Sequence, residues 1–141
     1  MRIHSPWTVQ LDLESRLDVL EEVQDVAGRL SAAAGLDSDT ATDVTVAVRE
    51  SVVNAIKHGN GLDASKLVHV AFLVHDDALE VMVSDEGAGF DPEALPDPIA
   101  DANLLNPEGR GILFMRAFMD EVEYSFPRSG GTVCRMRKRI S

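Results

Sequence analysis

With 141 residues, 45% of them hydrophobic, the chain suits one compact core and leaves no room for a second, so a single domain over 1–141 is expected. A formal net charge of -11 and a pI near 4.6 argue against a general grip on nucleic acid, which is held mainly by clustered Lys and Arg, and favour solubility and basic partner surfaces. The one cysteine, Cys134, excludes an intrachain disulfide and a cysteine-based zinc site; nothing resembles a signal peptide or a bilayer-length apolar run, so no membrane association and a cytoplasmic location are expected.

Trp7 to Leu13 alternates apolar and polar side chains, the pattern of a half-buried strand, and Glu14 to Ala34 then repeats apolar residues at helical spacing. Gly35 suits the end of that helix. Asp37 or Ser38 can cap the next, which the pattern predicts from Asp39 to His58, stopped by Gly59-Asn60-Gly61. Lys66 to His75 and Ala78 to Asp85 read as two strands of a hairpin turning around Asp76-Asp77. The polar stretch from Glu86 to Pro107 holds Pro92, Pro96, Pro98 and Pro107. It is too long for an ordinary connection in so small a domain, so a lid is expected there. A helix from Gly109 or Gly111 to Met119 follows, then strands near Glu121 to Phe126 and Thr132 to Ile140, separated by Arg128-Ser129-Gly130-Gly131. This order predicts an α+β sandwich of two layers, with helices on one face of a mixed, mostly antiparallel sheet. The closing Arg135-Met136-Arg137-Lys138-Arg139 alternates basic with apolar residues, as the solvated side of a terminal strand does.

Neither G-x-x-x-x-G-K-[ST] nor a G-x-G-x-x-G after a strand occurs, so any phosphate must be held by another device. The second helix offers a first piece. A turn of about 3.6 residues places Glu50, Asn54 and Lys57 on one narrow stripe, opposite Val44, Val48, Val52 and Ile56. Such a stripe is ordinarily the solvated face of an amphipathic helix. Asn, however, is a poor helix former, while its amide oxygen is a good hard ligand for Mg²⁺ and its NH₂ can donate to a phosphate. Glu50, one turn away, could serve as a general base. Lys57 and His58 suit the negative end of the helix dipole, with Lys57 aimed at a phosphate as the sharper alternative.

Asp85-Glu86-Gly87-Ala88-Gly89-Phe90 forms the second piece, where an apolar strand runs out towards the expected lid. A carboxylate at the end of a buried strand is costly unless it is paired, and an adenine N6 amino group offers it a donor. Gly87 and Gly89 allow close approach of the backbone to a flat ring or a phosphate, although a plain D-E-G turn would look the same. The third piece, Gly109-Arg110-Gly111, opens an apolar helix whose free N–H groups attract phosphates, with Arg110 adding a charge, or else supplies lid hinges. Gly130-Gly131-Thr132 reads as a hairpin turn, with the Thr132 hydroxyl as a possible second partner for the adenine near Asp85.

In order and combination these residues resemble the GHKL ATPase superfamily. The asparagine box is matched by Glu50 to Asn54, the first glycine box by Asp85-x-Gly87-x-Gly89, and the second by Gly109-x-Gly111. The match runs from Asp39 to Arg137, and R-E-S-V-V-N-A-I-K-H-G-N, the short lid and F-M-D-E-V look most like the stand-alone anti-sigma factor serine/threonine kinases of bacterial partner switching. That resemblance implies a Bergerat-type sandwich, ATP with Mg²⁺ held through Asn54, adenine read by Asp85, and Glu50 as the base that activates a substrate serine. It also implies an anti-anti-sigma factor as protein substrate, a sigma factor as competing partner, and a homodimer. A nucleotide-gated module without kinase activity stays open as a second reading. A histidine-kinase catalytic domain is a third, for which the chain lacks an upstream helical hairpin bearing an acceptor His.

Overall fold

A computed structural model describes residues 7–75, 77–87 and 107–140, and in it the alternating segments become strands. These are β1 (Trp7–Glu14), β2 (Leu67–Val74), β3 (Ala78–Asp85), β4 (Glu121–Ser125) and β5 (Val133–Arg139). The helically spaced segments become α1 (Leu20–Ala33), α2 (Ser38–Asn54) and α3 (Pro107–Phe118). The sheet order is β1-β2-β3-β5-β4, and all of these pairings are antiparallel. The expected α+β sandwich is therefore present. β5 enters between β3 and β4, which makes β3, the strand that ends in Asp85, an interior strand.

Register decides which side chains face the helices. Val9, Phe72, Val81, Met136 and Val122 lie in one cross-strand row, and Leu11, Val70, Val83, Cys134 and Tyr124 in the next. Leu13, Val68 and Asp85 form a third. Because successive side chains alternate between faces, the period that buries Val81 and Val83 carries Asp85 inward as well. Val23 and Ala27 of α1, Val44, Val48 and Val52 of α2, and Met115 of α3 close over this face with 0% exposure. On the opposite face Arg135 pairs with Glu80 at 2.8 Å and Glu123 at 3.3 Å, so the basic tail is the solvated side of a terminal strand, as expected.

Helix limits depart from the sequence pattern in physically legible ways. α1 starts after a 3₁₀ turn at Leu17–Val19, because β1 continues to Glu14, paired with Leu67, and Arg16 stays extended. Asp37 caps α2, its carboxylate accepting from the Thr40 N–H at 2.8 Å. α2 ends at Asn54, and Ala55–Gly59 form one π-helical turn, closed by Asn60 N–H on the Ala55 carbonyl at 2.8 Å. α3 begins at Pro107 rather than at Gly109 or Gly111, since proline lacks only an N–H that a first helical position leaves unpaired.

On the outward face His69 lies between Asp12, 2.6 Å from Nδ1, and Glu86, 3.0 Å from Nε2. Asp12 first, then Glu86, raise the His69 pKa above its ordinary 6.5. His69 holds Asp12 below the usual carboxylate range, while the Leu67 N–H and then His69 do so for Glu86. A raised cation pKa contributes stability that is complete below about 6.5 and is lost as pH rises through the folded value; the lowered carboxylates contribute stability that is lost as pH falls through theirs. The wild-type thermal midpoint should therefore fall relative to His69→Gln as pH rises from neutral towards alkaline. Parallel curves for the two proteins would remove the charged triad from the stability account.

Candidate functional site

One cleft of about 420 Å³ opens along α2 and the π turn, lined among others by Arg49, Glu50, Asn54, Lys57 and His58, with Leu17 at its rim. The predicted stripe of Glu50, Asn54 and Lys57 thus shares a single wall. It is not a solvated helix face. Asn54 is 4% exposed, and the Glu50 side chain is 18% exposed, its Oε1 accepting from Arg49 Nη1 at 3.0 Å. Val44, Val48, Val52 and Ile56 are buried on the other side, as the helical spacing requires.

Behind Asn54 lies a small cavity of about 10 Å³ whose lining includes Ser51, Asn54, Asp85, Tyr124, Thr132 and Cys134. It has room for about one water. Ser51 Oγ and Asn54 Nδ2 are buried there without a hydrogen-bond partner among the described residues. Asp85 is 7% exposed. Its Oδ1 accepts from the Gly87 N–H at 3.0 Å and the Thr132 N–H at 3.3 Å, while burial outweighs these bonds and pushes its pKa up. Burial likewise raises the Cys134 thiol, so it stays protonated at neutral pH. Asn54 is the residue common to both spaces, joining the charged cleft to the carboxylate at its back.

The junction around Asp85 admits no side chain beyond those present. A Cβ on Gly87 would fall 1.7 Å from the Gly59 carbonyl oxygen. Gly131 has φ +81, and a Cβ there would fall 2.3 Å from the Asp85 carbonyl oxygen. The strand end, the β5 entry and the π turn therefore meet backbone to backbone. This extends the predicted role of Gly87 from close approach to a ligand to close approach to the neighbouring chain.

The other predicted residues are placed less fully. Gly109, Arg110 and Gly111 lie in the first turns of α3 rather than ahead of it. With Pro107 leading, the helix N–H groups left without an internal partner are those of Glu108 and Gly109. Gly89, and the expected lid except for Glu86, Gly87 and Pro107, lie outside the described residues. Among the described residues no group of three or more His, Cys, Asp or Glu could hold a metal ion alone. An Mg²⁺ would therefore need phosphate oxygens and water beside the amide oxygen of Asn54, which is its ordinary preference, while the unpartnered Nδ2 is a donor that suits a phosphate oxygen rather than the cation.

Sequence reasoning missed Arg49 as the partner of Glu50, and Ser51, Tyr124 and Cys134 as cavity walls. Ser51 and Asn54, three positions apart on a valine-rich helix, were the available signal. Asn60 does stop the helix, as expected, and the structure adds that it is buried, at 3% exposure.

Residues 13–138 match the family model described as histidine kinase-like ATPase domain. The serine-protein kinase RsbW of Halalkalibacterium halodurans is 26% identical over 98% of this chain and 86% of its own length. RsbW of Listeria monocytogenes is 32% identical over 68% of each chain, and the anti-sigma F factor of Clostridium perfringens 33% over 71% of this chain and 73% of its own. A solved structure of the RsbU and RsbW domains of a Mycobacterium tuberculosis protein matches with a TM-score of 0.67 at 21% identity, covering 94% of this chain and 32% of that one. The mycobacterial sensor histidine kinase MprB matches with 0.53 at 16% identity over 97% of both. These two likenesses are of fold.

Proposed function

The chain belongs to the histidine kinase-like ATPase domain family, alongside proteins named serine-protein kinase RsbW and anti-sigma F factor, and from that premise we propose an anti-sigma factor with ATP-dependent serine/threonine kinase activity. Its substrate is an anti-anti-sigma factor, its second partner a sigma factor, and its assembly a homodimer in the cytoplasm. No direct contact with nucleic acid is required by this role. Among the described residues no helix is long and apolar enough to cross a membrane.

Asn54 carries this reading. It is a buried amide with an unpartnered Nδ2, set between a cleft that holds Glu50 and Lys57 and a cavity that holds Asp85. A nucleotide lying across Asn54 would meet a cation and a candidate base at its phosphate end in the cleft, and at its base end only the mouth of the one-water cavity, where the exocyclic amino group rather than the ring reaches towards the Asp85 carboxylate. In this assignment Asp85, through the oxygen not committed to Gly87 and Thr132, accepts from the adenine amino group, with Gly87 and Thr132 beside it, and Gly89 is assigned to the same pocket from its place in the sequence motif alone. Lys57, the Arg110 side chain and the free N–H groups at the start of α3, Gly109 among them, hold phosphates, with Gly111 keeping that turn open to them. Glu50 takes the proton of the substrate hydroxyl as that oxygen attacks the terminal phosphoryl group, the bond from that phosphorus to the bridging oxygen breaks and ADP leaves, and the Arg49 guanidinium keeps the carboxylate oriented along the cleft wall. Mg²⁺ held through Asn54 would neutralise charge on the phosphate oxygens.

Calorimetric titration tests the pocket. ATP with Mg²⁺ is expected to bind at one site per chain, more weakly when Mg²⁺ is withheld, and in preference to GTP. Absence of ATP binding, or equal affinity for GTP, would overturn the assignment of Asp85 and Asn54.

A further inference from the structure

We infer that Asn60, which lies outside the asparagine box and both glycine boxes, is a positioning residue that fixes Asp85 against the end of the α2 helix and thereby sets the choice of adenine over guanine. The inference rests on the nucleotide reading of the site and adds to it a residue that touches neither base nor phosphate.

Both donors and the acceptor oxygen of the Asn60 side chain are engaged. Nδ2 donates to Ser15 Oγ at 2.8 Å and to the Leu67 carbonyl at 2.9 Å, while Oδ1 accepts from the Glu86 N–H at 2.8 Å. Its own N–H closes the π turn on Ala55. One amide thus ties together the end of β1, the start of β2, the helix that carries Glu50 and Asn54, and the chain just after Asp85. Ser15 Oγ is committed in turn, donating to the Lys66 carbonyl at 2.6 Å. A helix-stopping Asn in a Gly-Asn-Gly turn would ordinarily be exposed; this one is 3% exposed.

The grip falls on the residues that orient the carboxylate. Asp85 Oδ1 is held by the Gly87 N–H, and Asn60 holds the N–H between them, that of Glu86. Gly59, one residue before Asn60, packs its backbone on both ends of the same tripeptide. A Cβ built on Gly59 would lie 2.2 Å from Asp85 Oδ2, and one on Gly87 would lie 1.7 Å from the Gly59 oxygen. With contacts this close, the distance from Asp85 to the Asn54 end of the pocket is set by what fixes residues 59–60 to residues 85–87. Loosening that tie frees Asp85 to shift or rotate, and a displacement of under about 1 Å is enough to lose the discrimination of a directional hydrogen bond.

Asn60→Asp tests this directly. It keeps size and the acceptor for Glu86, but turns the donor for Ser15 and Leu67 into an acceptor facing acceptors. The affinity ratio of ATP over GTP is expected to narrow by about tenfold, with the change falling on KM for ATP rather than on kcat. Ser15→Ala, which deletes only one Nδ2 partner, should narrow the ratio in the same direction by a smaller factor and serves where Asn60→Asp fails to fold. An unchanged ratio in a folded variant, or equal loss of affinity for both nucleotides, overturns the inference. Wild-type protein separates the two levels of failure: no ATP preference there defeats the nucleotide reading itself, whereas wild-type preference with an unaltered variant ratio defeats the role of Asn60 alone.

Discussion

Replacing Glu50 with alanine is expected to lower kcat for phosphoryl transfer at saturating ATP by about 10²–10⁴-fold, the usual contribution of a general base, while ATP affinity changes by less than about threefold. The split follows from position. Glu50 lies on the cleft wall one helical turn from Asn54, with its carboxylate already partnered by Arg49, and it takes no part in the cavity that holds Asp85. Removing it leaves Arg49 with a side chain 41% exposed, which water can solvate, so the fold bears little cost. Glu50→Gln keeps the shape and an oxygen for Arg49 but cannot take a proton, and should match alanine in kcat. Transfer at the wild-type rate by either variant would remove Glu50 from the chemistry.

Asp85→Asn is expected to act in the opposite place, weakening ATP binding by about tenfold to a hundredfold, because a donor would then face the adenine amino group where an acceptor stood. The same change should leave the apo protein at least as stable at neutral pH. Burial raises the Asp85 pKa, so between the ordinary 3.8 and the raised folded value the folded state binds more protons than the unfolded one, and stability falls as pH rises through that window. At neutral pH the full cost of a buried carboxylate is present, and asparagine does not carry it. Calorimetry for affinity and thermal unfolding for stability check both parts. Weaker binding accompanied by lower apo stability would mean that Asp85 is a structural brace rather than a reader of the base.

The fold was legible where periodicity is local. Period-two alternation in β2 and β3, and the valine row on α2, predicted both layers and the inward turn of Asp85. Strand order was not legible: β5 inserts between β3 and β4 through contacts distant in sequence, which no local pattern encodes. The π turn was hidden for a different reason. One wider turn over Ala55–Gly59 shifts the helical period for only five residues, too few to disturb the apolar pattern that ends at Ile56. Gly59-Asn60-Gly61 stops the helix as its composition predicts, but the bracing role of the Asn60 side chain was not legible, because its partners Ser15, Leu67 and Glu86 lie 7 to 45 residues away. Of the site, Glu50, Asn54 and Lys57 on one cleft wall, and Asp85 with Thr132 around one cavity, were foreseeable from spacing and strand ends. The Arg49–Glu50 pair was not, because adjacent helical residues ordinarily point apart.

Transfer of labelled phosphate from γ-labelled ATP by the purified protein to small anti-anti-sigma proteins, with the acceptor residue mapped, tests the kinase account most directly. The account predicts ATP- and Mg²⁺-dependent label on a serine or threonine of one such partner, lost in Glu50→Gln. ATP binding with no transfer to any of them would contradict the kinase and leave a nucleotide-gated sequestering module in its place.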